Sequence, residues 1–176
     1  MKILGISGSL KTTSVNTAIL RALGTMCASD CSFSIWDGPG ALPHFSPDID
    51  FDHSPEAVIA YRSLLKDADA VVICTPEYAF GMPGVLKNAL DWAVSSGEYD
   101  QKPVATISAS PLTSGGEKAL AWLKQTLTAL GAHQVEGASL SIPAVKGKLD
   151  AGGELVDEMT LNAIRDVLDA LVKAVV

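Results

Sequence analysis

At 176 residues the chain has the length of one domain and can bury most of the surface that its unfolded form exposes. Hydrophobic residues make up 48 % and charged residues 19 %, which excludes a disordered chain, and a formal net charge of −7 argues against nucleic-acid or anionic-membrane partners. No apolar stretch reaches transmembrane length and Lys2 leads straight into a predicted strand instead of a signal peptide, so a cytoplasmic location is the expectation.

Ile3, Leu4 and Ile6 form a short apolar run at the start, which predicts a buried strand. Ser7 to Ser14 (SGSLKTTS) then supplies small hydroxyl residues, one Gly and one Lys, before helical spacing resumes at Val15, Ala18, Ile19, Ala22 and Leu23. A polar, cationic loop at a helix N-terminus suits an anion, because the free N–H groups and the helix dipole both favour negative charge there. The simpler alternative is that Ser14 or Thr13 only caps the helix. Gly8 stands too far from Lys11 for a P-loop, and Gly5 and Gly8 do not complete a dinucleotide pattern. The loop is sized for one phosphate group, as in a mononucleotide.

Cys31 to Trp36 alternates as a second strand, and a long aperiodic loop rich in Gly, Pro, Asp and Ser follows. His44, His53, Asp48, Asp50 and Asp52 in it have no fixed ligand spacing, so no metal is expected. Cys27, Cys31 and Cys74 are odd in number and form no C-x-x-C pair, which speaks against a disulfide framework or a zinc site. Ser54-Pro55-Glu56 starts a second helix, and Asp69 to Cys74 (DAVVIC) reads as a strand covered on both faces, with Cys74 as core. Thr75-Pro76-Glu77-Tyr78 follows as a strand-end loop, then a helix over Val85 to Val94 with Trp92 on its apolar side. Val104 to Ile107 is a fourth strand, Ser108 to Gly116 (SASPLTSGG) a third loop of small residues, and Glu117 to Leu130 a helix stopped by Gly131. His133 to Ile142 is a fifth strand, and the last helix starts at about Glu154.

The alternation predicts an α/β fold: one domain over residues 1–176 with a doubly wound parallel sheet. In such sheets ligands bind beyond the carboxyl ends of the strands. In the flavodoxin-like order 2-1-3-4-5, strands one, three and four are neighbours, so the three loops of small or polar residues can converge on one ligand.

Two segments together resemble the NADPH-dependent FMN reductase family, the flavodoxin-like group that includes bacterial quinone, azo and chromate reductases. Gly8-Ser9-Leu10-Lys11, with Ser14 and Asn16, is similar to the family's G-S-L-R-x-x-S-x-N phosphate loop. Thr75 to Trp92 (TPEYAFGMPGVLKNALDW) is similar to its P-E-Y-N-x-x-x-P-G-x-L-K-N-A-x-D-W segment. The resemblance implies that Ser9, Lys11, Ser14 and Asn16, with the backbone of Val15, hold an FMN phosphate. It implies that Pro76, Glu77, Tyr78 and Ala79 run along the flavin ring, and that Ser108, Ala109 and Gly115 flank the ribityl chain or ring edge. NADPH or NADH would be the electron donor, with a quinone, free flavin, azo compound or metal oxyanion as acceptor. No side chain is implied as acid, base or nucleophile, so no catalytic residue is nominated.

Lys11 stands where the family usually has Arg, which replaces a bidentate fork by a point charge. Ala79 replaces the usual Asn, and Phe80 beside it suits either packing against a partner subunit or stacking on a substrate. The family implies a homodimer or homotetramer, for which Phe80 and Trp92 are candidate anchors. The rival functions are a flavodoxin-type electron carrier and a flavin-free scaffold or regulator of the same fold.

Overall fold

The computed structural model describes residues 1–36, 38–50 and 54–175. Five strands, β1 (Lys2–Ser7), β2 (Ser32–Trp36), β3 (Ala70–Thr75), β4 (Pro103–Ala109) and β5 (His133–Ile142), pair in parallel in the order β2-β1-β3-β4-β5. This is the doubly wound, flavodoxin-like arrangement. Its central strand β3, AVVICT, is buried at every position, and its near-continuous apolar run is what a strand covered on both faces requires.

The helices α1 (Val15–Met26), α2 (Glu56–Asp67), α3 (Gly84–Asp91), α4 (Glu117–Ala129) and α5 (Glu158–Val175) divide between the two faces of the sheet. Alternate strand residues decide which face each meets. Ile3, Val72, Cys74 and Ile107 pack against Ile19, Leu20 and Leu23 of α1 and against Ile164, Leu168 and Leu171 of α5. Leu4, Ile6, Val71 and Ile73 point the other way, towards Tyr61 and Leu65 of α2, Leu86 and Leu90 of α3, and Leu123 and Leu127 of α4.

Two helix boundaries differ from expectation. The last helix begins at Glu158, not at about Glu154, because the preceding residues fold back on themselves: Asp150 N–H donates to the Glu154 carbonyl at 2.9 Å, and Leu149 bridges Leu155. Asp157 then caps the helix, its carboxylate accepting the Thr160 N–H at 3.0 Å. The third helix ends at Asp91 instead of Val94, where the bonding tightens and Ala93 N–H reaches the Leu90 carbonyl at 3.1 Å.

The long loop after β2 contains two short 3₁₀ turns, Pro39–Ala41 and Pro47–Ile49. It is fastened by the third helix. The Asn88 side chain donates to the Pro43 carbonyl at 2.9 Å and accepts the Phe45 N–H at 2.8 Å, while Trp92 Nε1 donates to the same Pro43 carbonyl at 2.8 Å. At its far end Asp50 is buried against Arg62 at 2.8 Å, and Arg62 also donates to the Trp92 carbonyl. Asp50 is thus a partner of Arg62, while Asp52 and His53 lie outside the described residues.

Candidate flavin site

The loop after β1 is drawn against the end of β3. Gly8 N–H donates to the Cys74 carbonyl at 2.8 Å, and a Cβ at Gly8 would lie 3.0 Å from Leu86 and 3.1 Å from the Thr75 hydroxyl. A side chain there would crowd both, so glycine suits that approach. The two strand-end loops are thereby held side by side.

At the start of α1, Ser14 does cap the helix, its hydroxyl accepting the Thr17 N–H at 3.4 Å. The cap leaves donors over. Among the described residues the N–H groups of Val15 and Asn16 have no backbone acceptor, as expected of the first helical positions. Asn16 is buried, its side-chain oxygen accepts the Cys74 thiol at 3.3 Å, and its amide nitrogen has no protein partner among the described residues. Burial drives the Cys74 pKa up, which keeps that thiol protonated as a donor and makes it part of the core. Lys11 has no ion-pair partner among the described residues.

These groups open onto a cavity of about 280 Å³. Its first wall is Ser9, Lys11, Thr13, Ser14, Val15 and Asn16; its second is Pro76, Glu77 and Tyr78; its third is Ala109, Ser110, Pro111 and Leu112, with Val145 and Lys146 beyond. The loops after β1, β3 and β4 therefore converge at one end of the sheet.

Three of the expected residues are not part of the lining. Ser108 is fully buried and donates to the Gly115 carbonyl at 2.8 Å, which shapes the third loop from within. Gly115 itself has a φ of +64° and lies against Pro143, where a Cβ would come within 3.1 Å of backbone. Ala79 is in a tight turn: Tyr78 and Gly81 exchange N–H to carbonyl bonds at 2.9 Å in both directions, and Ala79 and Phe80 between them have φ of 48° and 65°. Two successive left-handed residues make a type I′ turn, for which Asn at the first central position is a favoured residue. The family's Asn thus suits the backbone at position 79 whether or not its side chain reaches a ligand.

Five lining residues, Thr13, Ser110, Pro111, Leu112 and Lys146, were not among the sequence candidates, nor was Val145. Thr13, Ser110, Pro111 and Leu112 lie inside loops already singled out, so proximity along the chain was the available signal. Nothing in the sequence places Val145 and Lys146 there.

The Glu77 carboxylate has a defined partner set. It accepts the N–H groups of Lys118 and Ala119, each at 3.0 Å, and so caps the N-terminus of α4. Beyond it, Tyr78, Phe80 and Trp122 are mostly exposed, and the Lys118 ammonium sits 3.8 Å above the Phe80 ring. Trp92, a candidate interface anchor by sequence, is instead fully buried. Its ring meets Phe45 edge-on at 5.1 Å, and its indole N–H is taken by the long loop.

Residues 1–147 match the model of the NADPH-dependent FMN reductase family. The chain belongs to that family. The NADPH-dependent FMN reductases similar to it include an NAD(P)H-dependent FMN reductase of Pseudomonas aeruginosa, 36 % identical over 97 % of this chain and 93 % of that protein. A 2-hydroxy-1,4-benzoquinone reductase of a Burkholderia species is 36 % identical over 96 % of this chain and 93 % of its own length. Among solved structures, the Paracoccus denitrificans flavoenzyme FerB, an NAD(P)H:(acceptor) oxidoreductase, superposes with a TM-score of 0.88 at 30 % identity. That superposition covers 99 % of this chain and 96 % of FerB. As a member of the NADPH-dependent FMN reductases this protein is an oxidoreductase whose cofactors are FMN and NAD(P)H.

The residues present fit FMN. The first wall is rich in donors without partners, as a phosphate dianion requires. Among the described residues one carboxylate lines the cavity, that of Glu77, and it has an oxygen committed to α4.

Proposed function

We propose that the cavity holds FMN with its phosphate at the N-terminus of α1, and that the enzyme carries reducing equivalents from NADPH or NADH to a quinone. The observation that carries this reading is the set of unpartnered donors at the end of β1: the Val15 and Asn16 N–H groups, the Asn16 amide, the Ser9 and Thr13 hydroxyls and Lys11. When bound, FMN supplies the redox chemistry, taking hydride from a nicotinamide and returning two electrons to an acceptor.

The chain's own residues bind and orient. Ser9, Lys11, Ser14 and Asn16, with the Val15 N–H, hold the phosphate. Pro76, Glu77 and Tyr78 form the wall for a flat ring, and Tyr78 stands at the open side, where nicotinamide and acceptor would enter in turn. Ser108 and Gly115 act from behind, by fixing the loop that presents Ala109 and Ser110. Glu77 serves the reaction by holding α4 and the turn in place, and no proton transfer is assigned to it.

A quinone acceptor is supported by relatives that are quinone reductases. Free flavin, azo compounds and metal oxyanions are the competing acceptors. We also assign a homodimer or homotetramer, supported by the exposed aromatic surface of Tyr78, Phe80 and Trp122. A cytoplasmic setting accords with three free thiols and with the lack, among the described residues, of a helix long and apolar enough to cross a membrane.

The test is an anaerobic titration of the FMN-loaded protein followed by visible absorption. NADPH or NADH is expected to bleach the bound-flavin band, and a benzoquinone to restore it within one turnover. A bound flavin that neither nicotinamide reduces would make the protein an electron carrier. Failure to bind FMN would make it a flavin-free scaffold. A strictly monomeric protein in sedimentation would remove the assembly.

A further inference from the structure

We propose that Lys146, on the segment after β5, is a second cation for the FMN phosphate and completes the cradle that Lys11 begins. The inference rests on the placement of the phosphate argued above and adds to it a residue remote in sequence from the phosphate loop.

Three observations converge on Lys146. First, Lys146 and Lys11 line the same cavity, in a chain whose formal net charge is −7. Second, three other cations of the chain are engaged elsewhere. Arg21 pairs with Glu154 at 3.2 Å and Lys87 with Asp91 at 2.6 Å, while Lys118 sits over Phe80. Within the short 3₁₀ turn Val145–Lys148 the contrast is sharpest: Lys148 is bound to Asp157 at 2.9 Å, whereas Lys146 has no ion-pair partner among the described residues.

Third, the backbone beneath Lys146 is held in an uncommon conformation that points it at the cavity. Ala144 has φ 49° and ψ 35°, a left-handed geometry unusual for alanine. It is fixed there because Ala144 N–H donates to the Leu112 carbonyl and Val145 N–H to the Ser110 carbonyl, each at 3.1 Å. The segment is thereby stitched to the third loop, and Val145 is buried. Strained backbone retained by a surrounding framework is a recurrent feature of ligand clamps.

A phosphate monoester carries close to two negative charges at neutral pH, and one lysine neutralises only part of it. With Lys11 in place of the family's Arg, the cradle lacks a bidentate fork. Lys146 supplies the missing charge from the opposite wall.

The experiment compares FMN with riboflavin, which lacks the phosphate, in equilibrium titrations of the wild-type apoprotein, Lys146→Gln and Lys146→Arg, at low and high salt. Lys146→Gln is expected to weaken FMN binding about tenfold, to leave riboflavin binding unchanged and to flatten the salt dependence. Lys146→Arg is expected to restore FMN affinity. Equal losses for FMN and riboflavin, an unchanged FMN affinity, or an effect confined to the NADPH over NADH preference would each overturn the proposal. If the wild-type protein itself binds FMN no more tightly than riboflavin, the phosphate placement at α1 fails as well. If it prefers FMN and Lys146→Gln keeps the full preference, Lys146 alone is wrong.

Discussion

The loops after β1 and β3 lie side by side on the same cavity, yet they treat their polar groups in opposite ways. In the loop after β1, one hydroxyl caps a helix, and among the described residues the Lys11 ammonium, the Ser9 and Thr13 hydroxyls and the Val15 and Asn16 N–H groups donate to no protein partner. In the loop after β3, Tyr78 and Gly81 bond to each other and Glu77 caps α4. The first loop leaves donors that an anion at the helix N-terminus could take up. The second is bonded within its own turn and to α4, and offers a shaped wall. On the proposed placement of FMN, affinity for its phosphate and fit to its flat ring fall to separate segments, which a mutation can affect one at a time.

Lys11→Ala tests the open loop and is expected to produce the largest effect. Losing one charge-assisted contact costs about 1.5–3 kcal/mol, which corresponds to a ~10–100-fold weaker FMN affinity. Thermal stability of the apoprotein should hardly change, since Lys11 makes no ion pair among the described residues. Glu77→Ala tests the closed loop and should do the reverse. Removing a cap that accepts two N–H groups is expected to lower apoprotein stability by about 1–2 kcal/mol, read as a fall in denaturation midpoint. Any loss of affinity should then be equal for FMN and riboflavin. A Glu77→Ala protein of wild-type stability would mean that the cap contributes nothing.

The same division explains what was legible in the sequence. Strand order and helix faces could be read because buried runs such as AVVICT and helical spacings such as that of α1 report burial directly. The polar loop before α1 was legible because hydroxyls and Lys before a helix have a local cause. Asn88 and Trp92 were visible as a motif, but their role was not. They bind the Pro43 carbonyl 45 and 49 residues away, a pairing that only the folded chain creates. Lys146 was invisible for the same reason: the left-handed Ala144 beneath it has no sequence signature, unlike a glycine. The start of α5 was misplaced because Glu154 to Asp157 is compatible with a helix by composition, and the Leu149–Leu155 bridge outweighs that preference.

Ala79→Asn sharpens the contrast with a smaller effect. Ala at a φ of 48° bears a conformational cost that Asn bears less, so the substitution is expected to stabilise the protein by about 0.5–1 kcal/mol. FMN affinity should stay within about twofold if the side chain serves the turn alone. An affinity gain without a stability gain would show that Asn at this position reaches the ligand.

The smallest expected effect concerns Asp157, which separates the engaged Lys148 from the open Lys146. Hydrogen bonds from the Thr160 hydroxyl and N–H, together with Lys148, hold its carboxyl down at about 2, below the ordinary 3.8. A group whose folded-state value is depressed stabilises the fold above its unfolded value, and that contribution is lost as pH falls through the folded one. Asp157→Asn keeps oxygen for Thr160 but loses the charge facing Lys148. The variant should therefore melt slightly below wild type at neutral pH, with the difference shrinking between about pH 4 and pH 2. A gap that stays constant through that window would show that the Lys148 charge does not stabilise the fold through Asp157. The segment carrying Lys146 would then be held by its backbone bonds, to Ser110 and Leu112 and from Val156 to the Lys148 carbonyl, and its position would not change with acid.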